Sequence, residues 1–86
     1  MARYEVLLRR SALRKDLARL HRKDVQRIMA TIGALADNPR PRGSQKLSGR
    51  EEYRIRQGDY RIVYTIQDQE KTVWIVKVGH RRDVYR

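Results

Sequence analysis

Cysteine is missing from the 86-residue chain, which excludes a disulfide framework, a thiol nucleophile and any thiolate metal site. Long apolar runs are missing too. Val6-Leu7-Leu8 is cut off by Arg9-Arg10, so nothing at the N-terminus reads as a signal peptide, and no stretch approaches the ~20 apolar residues of a membrane span. Proline and glycine are sparse, at 2 and 5, with 40% of residues hydrophobic and 36% charged, the balance of a folded domain with a charged shell rather than of a disordered tail. Acids are scarce beside bases: 10 Asp and Glu face 21 Lys and Arg, a net charge of +11. The length supports a single small domain, residues 1–86, that buries only a little over ~60% of its unfolded surface, with no room for a two-domain enzyme or a large cofactor cleft. The expectation is a cytoplasmic protein with no membrane association and with anionic partners.

The placement of the charge is more informative than its sum. Residues 1–39 carry nine Lys and Arg against four acids, and residues 40–86 carry twelve against six, so the basicity belongs to the whole fold and not to a detachable arm. Arginine supplies 16 of the 21 cations, and its planar fork suits bidentate phosphate contacts better than lysine does. A GC-rich genome would also favour arginine codons, but would not explain where the arginines fall.

Loose alternation of Tyr4, Val6 and Leu8 predicts a first strand over Arg3–Leu8. Ser11 stands where an N-cap belongs, ahead of Leu13, Leu17 and Leu20, which predicts a helix over Ala12–Leu20. The stripe Val25, Ile28, Met29, Ile32, Leu35 and Ala36 predicts a longer second helix, stopped by Asn38-Pro39. Each helix has one apolar face, and an αα-hairpin of this kind needs a sheet to cover. After the basic loop 40–44, Gln45-Lys46-Leu47 reads as a short strand, and the period then changes to two over Tyr53–Arg56, Tyr60–Ile66 and Val73–Val78. The fold class is α+β, two-layer, in the order β-α-α-β-β-β(β), with an αα-hairpin on a twisted, mainly antiparallel C-terminal sheet.

Taking Gly58-Asp59 as a two-residue, glycine-first hairpin loop pairs Gln57 with Tyr60, Ile55 with Ile62 and Tyr53 with Tyr64 on the helix-facing side. Arg56 then falls directly opposite Arg61, with Arg54 two residues back on the same side. Like charges across a strand pair are destabilising by some tenths of a kcal/mol, so the arrangement has little structural reason to exist. A three-residue loop at Gln69-Glu70-Lys71 pairs Ile66 with Trp74, Tyr64 with Val76 and Ile62 with Val78 in the core, whereas a loop one residue longer or shorter puts Lys77 there. In that register Arg54, Arg56, Arg61, Lys77 and Arg81 converge on one face with no alternating acid. The plain alternative is a solvated polar face; the sharper reading is a phosphate-binding trough.

Few other side chains carry chemistry. His80 lies beside that face and next to Arg81, His21 reads as a surface residue at the helix corner, and Tyr85 either packs on the core or reaches the trough. Glu51-Glu52 reads as a strand-edge charge pair. The remaining acids lack the spacing of a metal cage, and a basic face repels divalent cations, so no metal or other cofactor is expected. RNA, unlike DNA, brings its own nucleophile, the ribose 2′-hydroxyl. A protein that cuts it must supply a proton acceptor, cations for the phosphoryl oxygens and an acid for the leaving 5′-oxygen. Composition and pattern leave two classes open, a metal-free ribonuclease and a plain RNA-binding module.

Lys46-Leu47, Tyr53-Arg54-Ile55-Arg56, Tyr60-Arg61-Ile62-Val63-Tyr64 and Val78-Gly79-His80-Arg81-Arg82-Asp83-Val84-Tyr85 give the chain a resemblance, over nearly its whole length, to the RelE/ParE superfamily of bacterial toxins and to its RelE-like branch. The resemblance implies a ribosome-dependent mRNA endonuclease of a type II toxin–antitoxin system, acting in the ribosomal A site and restrained by a RelB-like antitoxin, with DNA contacted only indirectly through that antitoxin. It implies catalytic roles at Arg54, Arg61, His80, Arg81 and Tyr85. Arg61 and Arg81 are the phosphate and transition-state cations, and Tyr85 is a stacking platform for a displaced base. Arg56 would clamp the RNA backbone with Arg54, and Lys46, Lys77, Arg82 and Arg42 add RNA contacts. The chain departs from familiar RelE-like members in carrying arginine, not lysine, at Arg54 and Arg56. Since arginine does not readily give up a proton, the general base is unassigned, and His80 is the candidate for one proton role. A ParE-like gyrase inhibitor without nuclease activity, and a relative that only binds RNA or antitoxin, are the alternatives.

Overall fold

The computed structural model of the chain describes residues 3–47, 49 and 51–80. Seven elements follow in the order β1 (Glu5–Leu8), α1 (Arg10–Ala18), α2 (Arg22–Ala34), β2 (Gln45–Lys46), β3 (Glu52–Gln57), β4 (Tyr60–Gln67) and β5 (Thr72–His80). The strands form one sheet in the order β1-β5-β4-β3-β2. All neighbours are antiparallel except β1, which lies parallel to β5 at one edge.

Both helices begin earlier than their apolar stripes predict. The first starts at Arg10, so Ser11 is its second residue, and Arg9 occupies the cap position without a side-chain cap bond. At nine residues α1 is too short to hold itself in water, and packing on β5 supplies what capping does not. Leu13 is 2% exposed in the core, and the Asp16 carboxylate accepts the Val78 backbone N–H at 3.0 Å, beyond the last residue with which β1 pairs. The second helix runs Arg22–Ala34 with Asp24 in its first turn, where a carboxylate suits the helix dipole. It lays Ile28 and Ile32 on the sheet, with Leu35 at its C-cap also buried. The interior joins Leu13, Ile28, Ile32 and Leu35 to Ile55, Ile62, Tyr64, Val73, Ile75 and Val78. Within it the Tyr64 hydroxyl donates to the Pro39 carbonyl at 2.7 Å, tying the chain after α2 to the centre of the sheet.

The β3–β4 hairpin has the expected glycine-first turn: Gln57 pairs with Tyr60, and Gly58 adopts φ +61°, which glycine accepts without steric cost. The β4–β5 turn differs from expectation. Four residues, Asp68 to Lys71, separate the paired Gln67 and Thr72. The Lys71 N–H closes the turn on the Asp68 carbonyl at 3.2 Å, and Lys71 is left-handed at φ +53°. With that longer loop Ile66 pairs with Val73 and Tyr64 with Ile75, and the register then shifts by one, so that Val63 meets Lys77 and Ile62 meets Val78. Val76 is the extra residue of a β-bulge. The bulge cancels the added loop residue and keeps Lys77 out of the core. The longer turn by itself reverses another expectation: Val73 and Ile75 are fully buried, and Trp74 is 39% exposed on the other face.

Candidate functional site

On the side of the sheet away from the helices, the registers arrange residues in rows that run across the strands. The first row is Arg56, Arg61 and Gly79, and the second is Gln45, Arg54, Val63 and Lys77. Next come Glu52, Thr65, Trp74 and Leu7, followed by Gln67, Thr72 and Glu5. Four of the five cations expected on this face therefore occupy two adjacent rows, Arg56 being directly opposite Arg61. Glu52 and Glu5 also fall on the face, two to three rows from Arg61, so it is polarised along the strands rather than free of acids.

Within the cationic rows the side chains sit at different depths. Arg61 is buried at 6% exposure and Val63 at 5%, while Arg56 and Lys77 are exposed. Gly79 is the β5 member of the Arg61 row and brings no side chain to it. Arg54 donates from Nη2 to the Gln45 amide oxygen of β2, which fixes its guanidinium at the sheet edge. There a groove of about 430 Å³ is lined by Arg42, Gly43, Ser44, Gln45, Arg54, Ile55 and Arg56. Three guanidinium groups around one groove are a ready receptor for phosphate oxygens.

The loop that contributes Arg42 is anchored from the helix side. Arg40 donates from Nη1 and Nη2 to both Asp68 carboxylate oxygens at 3.1 and 2.9 Å, and from Nε to the Tyr53 hydroxyl at 3.2 Å. Its guanidinium lies 5.2 Å from the Tyr53 ring centroid, and Tyr53 in turn stacks on Tyr64 at 5.8 Å. Tyr4 donates its hydroxyl to Asp68 at 2.6 Å. Arg40 and, after it, Tyr4 hold the Asp68 carboxyl down to about 2, and the same bond raises the Tyr4 hydroxyl pKa. This constellation had no periodic signal in the sequence. Only the turn at Asp68 brings it to Arg40.

His80 pairs with Tyr60, so strand alternation turns it to the helix side, away from Arg61. Its ring meets the Tyr60 ring edge-on at 5.9 Å, and the Tyr60 hydroxyl reaches Asp24 of α2 at 3.3 Å; burial, then Asp24, raises the Tyr60 pKa. Lys46 pairs with Tyr53, out of phase with Arg54, and its Nζ lies 3.9 Å from Glu51. The sheet thus groups Arg54, Arg56, Arg61 and Lys77, brings Arg42 to their edge, and does not bring Lys46 or His80 onto that face. Arg81, Arg82 and Tyr85 lie outside the described residues. Trp74 is a residue of this face that sequence reasoning missed, because its side of the sheet depends on the turn length. Among the described residues, no group of three or more His, Asp or Glu side chains could hold a metal ion, and no helix is long and apolar enough to cross a membrane.

The two-layer α+β fold of this small domain is shared with solved toxin structures. Residues 6–85 match the family described as ParE toxin of type II toxin-antitoxin system, parDE, and the chain belongs to that family, within the RelE/ParE superfamily. The fold is similar to the RelE–RelB complex of Pyrococcus horikoshii, with a TM-score of 0.81 and 28% identity over 98% of this chain and 100% of that one. It is also similar to the RelBE2 toxin–antitoxin complex of Mycobacterium tuberculosis, with a TM-score of 0.79 and 30% identity over 92% and 99%. Toxin RelG of Mycobacterium tuberculosis is 47% identical over 34 residues, which spans 40% of this chain and 39% of RelG. The matched segment thus covers about two fifths of that curated relative.

Proposed function

We propose that this toxin is a metal-independent, ribosome-dependent endoribonuclease that cuts mRNA in the A site and so inhibits translation. The observation that carries the reading is the direct opposition of Arg56 and Arg61, with Arg54 and Lys77 one row away. Such crowding costs stability and concentrates positive charge where a phosphodiester would lie. In the proposed reaction the ribose 2′-oxygen attacks the adjacent phosphorus and the P–O5′ bond breaks, giving a 2′,3′-cyclic phosphate and a 5′-hydroxyl. The 2′-hydroxyl proton passes to a base, and an acid returns a proton to O5′. Arg61 and Arg81 stabilise the charge on the phosphoryl oxygens, Arg54 and Arg56 clamp the backbone, and Tyr85 stacks a displaced base. Arg42, Lys46, Lys77 and Arg82 add contacts to RNA. A proton role for His80 requires its ring to leave the edge of Tyr60. A His80→Gln variant that keeps the full rate removes His80 from the mechanism.

The complexes of similar toxins with RelB support a RelB-like antitoxin as the partner that restrains this one, with any DNA contact made by the antitoxin. The match to ParE toxins favours a second reading, inhibition of DNA gyrase by binding without nuclease chemistry. Primer-extension mapping of mRNA after induction separates the two. Codon-positioned cuts that vanish with Arg61→Ala and Arg81→Ala are expected; intact transcripts with broken DNA overturn the nuclease reading in favour of gyrase.

A further inference from the structure

Trp74 is the chain's single tryptophan, and the structure puts it where a core residue was expected to turn inward. Val73 and Ile75 on either side are fully buried beneath the helices, and Trp74 points the opposite way, 39% exposed. It pairs with Thr65 of β4 and Leu7 of β1, in the row next to that of Lys77 and Arg54. Rows on one face of a strand are spaced by about 7 Å, so the indole stands one row from Lys77 and two rows, roughly 14 Å, from Arg61. Next to it Val63 is 5% exposed and lies between Arg54 and Lys77. The face thus passes from guanidinium groups through a lysine to an aromatic surface, and Glu52 and Glu5 close it beyond.

We propose that Trp74 is a nucleobase-stacking platform at the end of the cationic face, holding a base of single-stranded RNA whose phosphates lie on Lys77, Arg54 and Arg56. The proposal rests on RNA being the ligand of that face. Its physical basis is the combination that single strands require, a cationic track beside an aromatic ring with an open surface. Charge complementarity selects RNA over an acidic protein helix, because the indole's own row and the next one carry Glu52 and Glu5 while the phosphates of an RNA remain over the cations. The β-bulge is what makes the juxtaposition: without the extra residue Val76, Trp74 and Lys77 would face opposite sides of the sheet.

Because the chain has one tryptophan, its emission reports on this position alone. The test titrates the full-length toxin with an eight-nucleotide single-stranded 2′-O-methyl oligoadenylate, which binds but offers no 2′-hydroxyl for cleavage. Stacking is expected to quench the emission. Trp74→Leu, with its fold checked by circular dichroism, is expected to bind about tenfold more weakly, within the roughly 5- to 150-fold range of one base–aromatic stack, and Trp74→Phe to recover most of that loss. Unchanged emission on binding, or equal affinity of Trp74→Leu, overturns the proposal. So does emission that responds to an acidic helical peptide but not to the oligonucleotide, which assigns the surface to a protein partner. The outcome is separable from that for the nuclease: quenching without mRNA cuts in a translating extract leaves the platform standing and removes the cleavage reading, whereas cuts made equally well by Trp74→Leu do the reverse.

Discussion

Replacing Arg56 by glutamine removes one of two guanidinium groups that β3 and β4 hold directly opposite each other. Arg56 is exposed, so the main expected effect of the change on folding is relief of its repulsion against Arg61. Like charges in directly opposed strand positions cost some tenths of a kcal/mol. With about 0.5 kcal/mol recovered and 4–8 °C per kcal/mol for a domain of this size, the expected rise in Tm is about 2–4 °C. The rise should shrink as salt goes from 10 mM to 0.5 M, because the Debye length falls from about 30 Å to a few ångströms. Arg56→Lys keeps the charge and is expected to leave Tm nearly unchanged. The functional effect runs the other way: loss of one phosphate contact should flatten the salt dependence of single-strand RNA binding by about 0.7 in log–log slope and slow cleavage. Thermal denaturation by circular dichroism at the two salt concentrations, with filter binding of a labelled oligonucleotide, measures both. A fall in Tm at low salt, or a gain that does not respond to salt, would refute the idea that this face is held against its own repulsion.

Tyr64→Phe removes the buried hydroxyl that donates to the Pro39 carbonyl at 2.7 Å. A loss of about 1.5 kcal/mol is expected, or roughly 6–12 °C in Tm, and a shift below about 2 °C would show that water replaces the bond. Asp68 predicts a pH effect. Its pKa in the folded protein, lowered to about 2 by Arg40 and then Tyr4, lies below the ordinary carboxylate value of about 3.9 in an unfolded chain. The stabilisation is therefore complete above about pH 4 and is lost as pH falls from there through about pH 2; Asp68→Asn should flatten that part of a urea-midpoint profile, and a variant with an unchanged acid limb would contradict the assignment.

Much of the sheet was legible because alternation and one two-residue turn settle it. Given Gly58-Asp59, the pairings of Ile55 with Ile62, Tyr53 with Tyr64 and Arg56 with Arg61 are obligatory, and all three are present. Helix limits were less legible. The stripe marks only residues that face the core, whereas Arg10 and Arg22 begin their helices from exposed positions, where no hydrophobic signal exists. Ser11 is a cap residue by type, but the cap position falls two residues ahead of it, at Arg9, whose N–H is still bonded to the Ile75 carbonyl at 3.1 Å.

By itself, the order of residues determined the two-layer α+β class, the hairpin register and the opposition of Arg56 and Arg61, because each depends on local period and on one glycine with a left-handed backbone. Tertiary structure decided the place of β1 beside β5, the turn of His80 toward Tyr60, the anchoring of Arg40 on Asp68 and the outward face of Trp74. The physical reason is one of parity. A side chain on a strand has two sides to choose from, and a single residue added to a turn or a bulge reverses the choice; only packing of Val73, Ile75 and Val78 against the helices, with Lys77 kept in water, selects the combination of the two that the protein adopts.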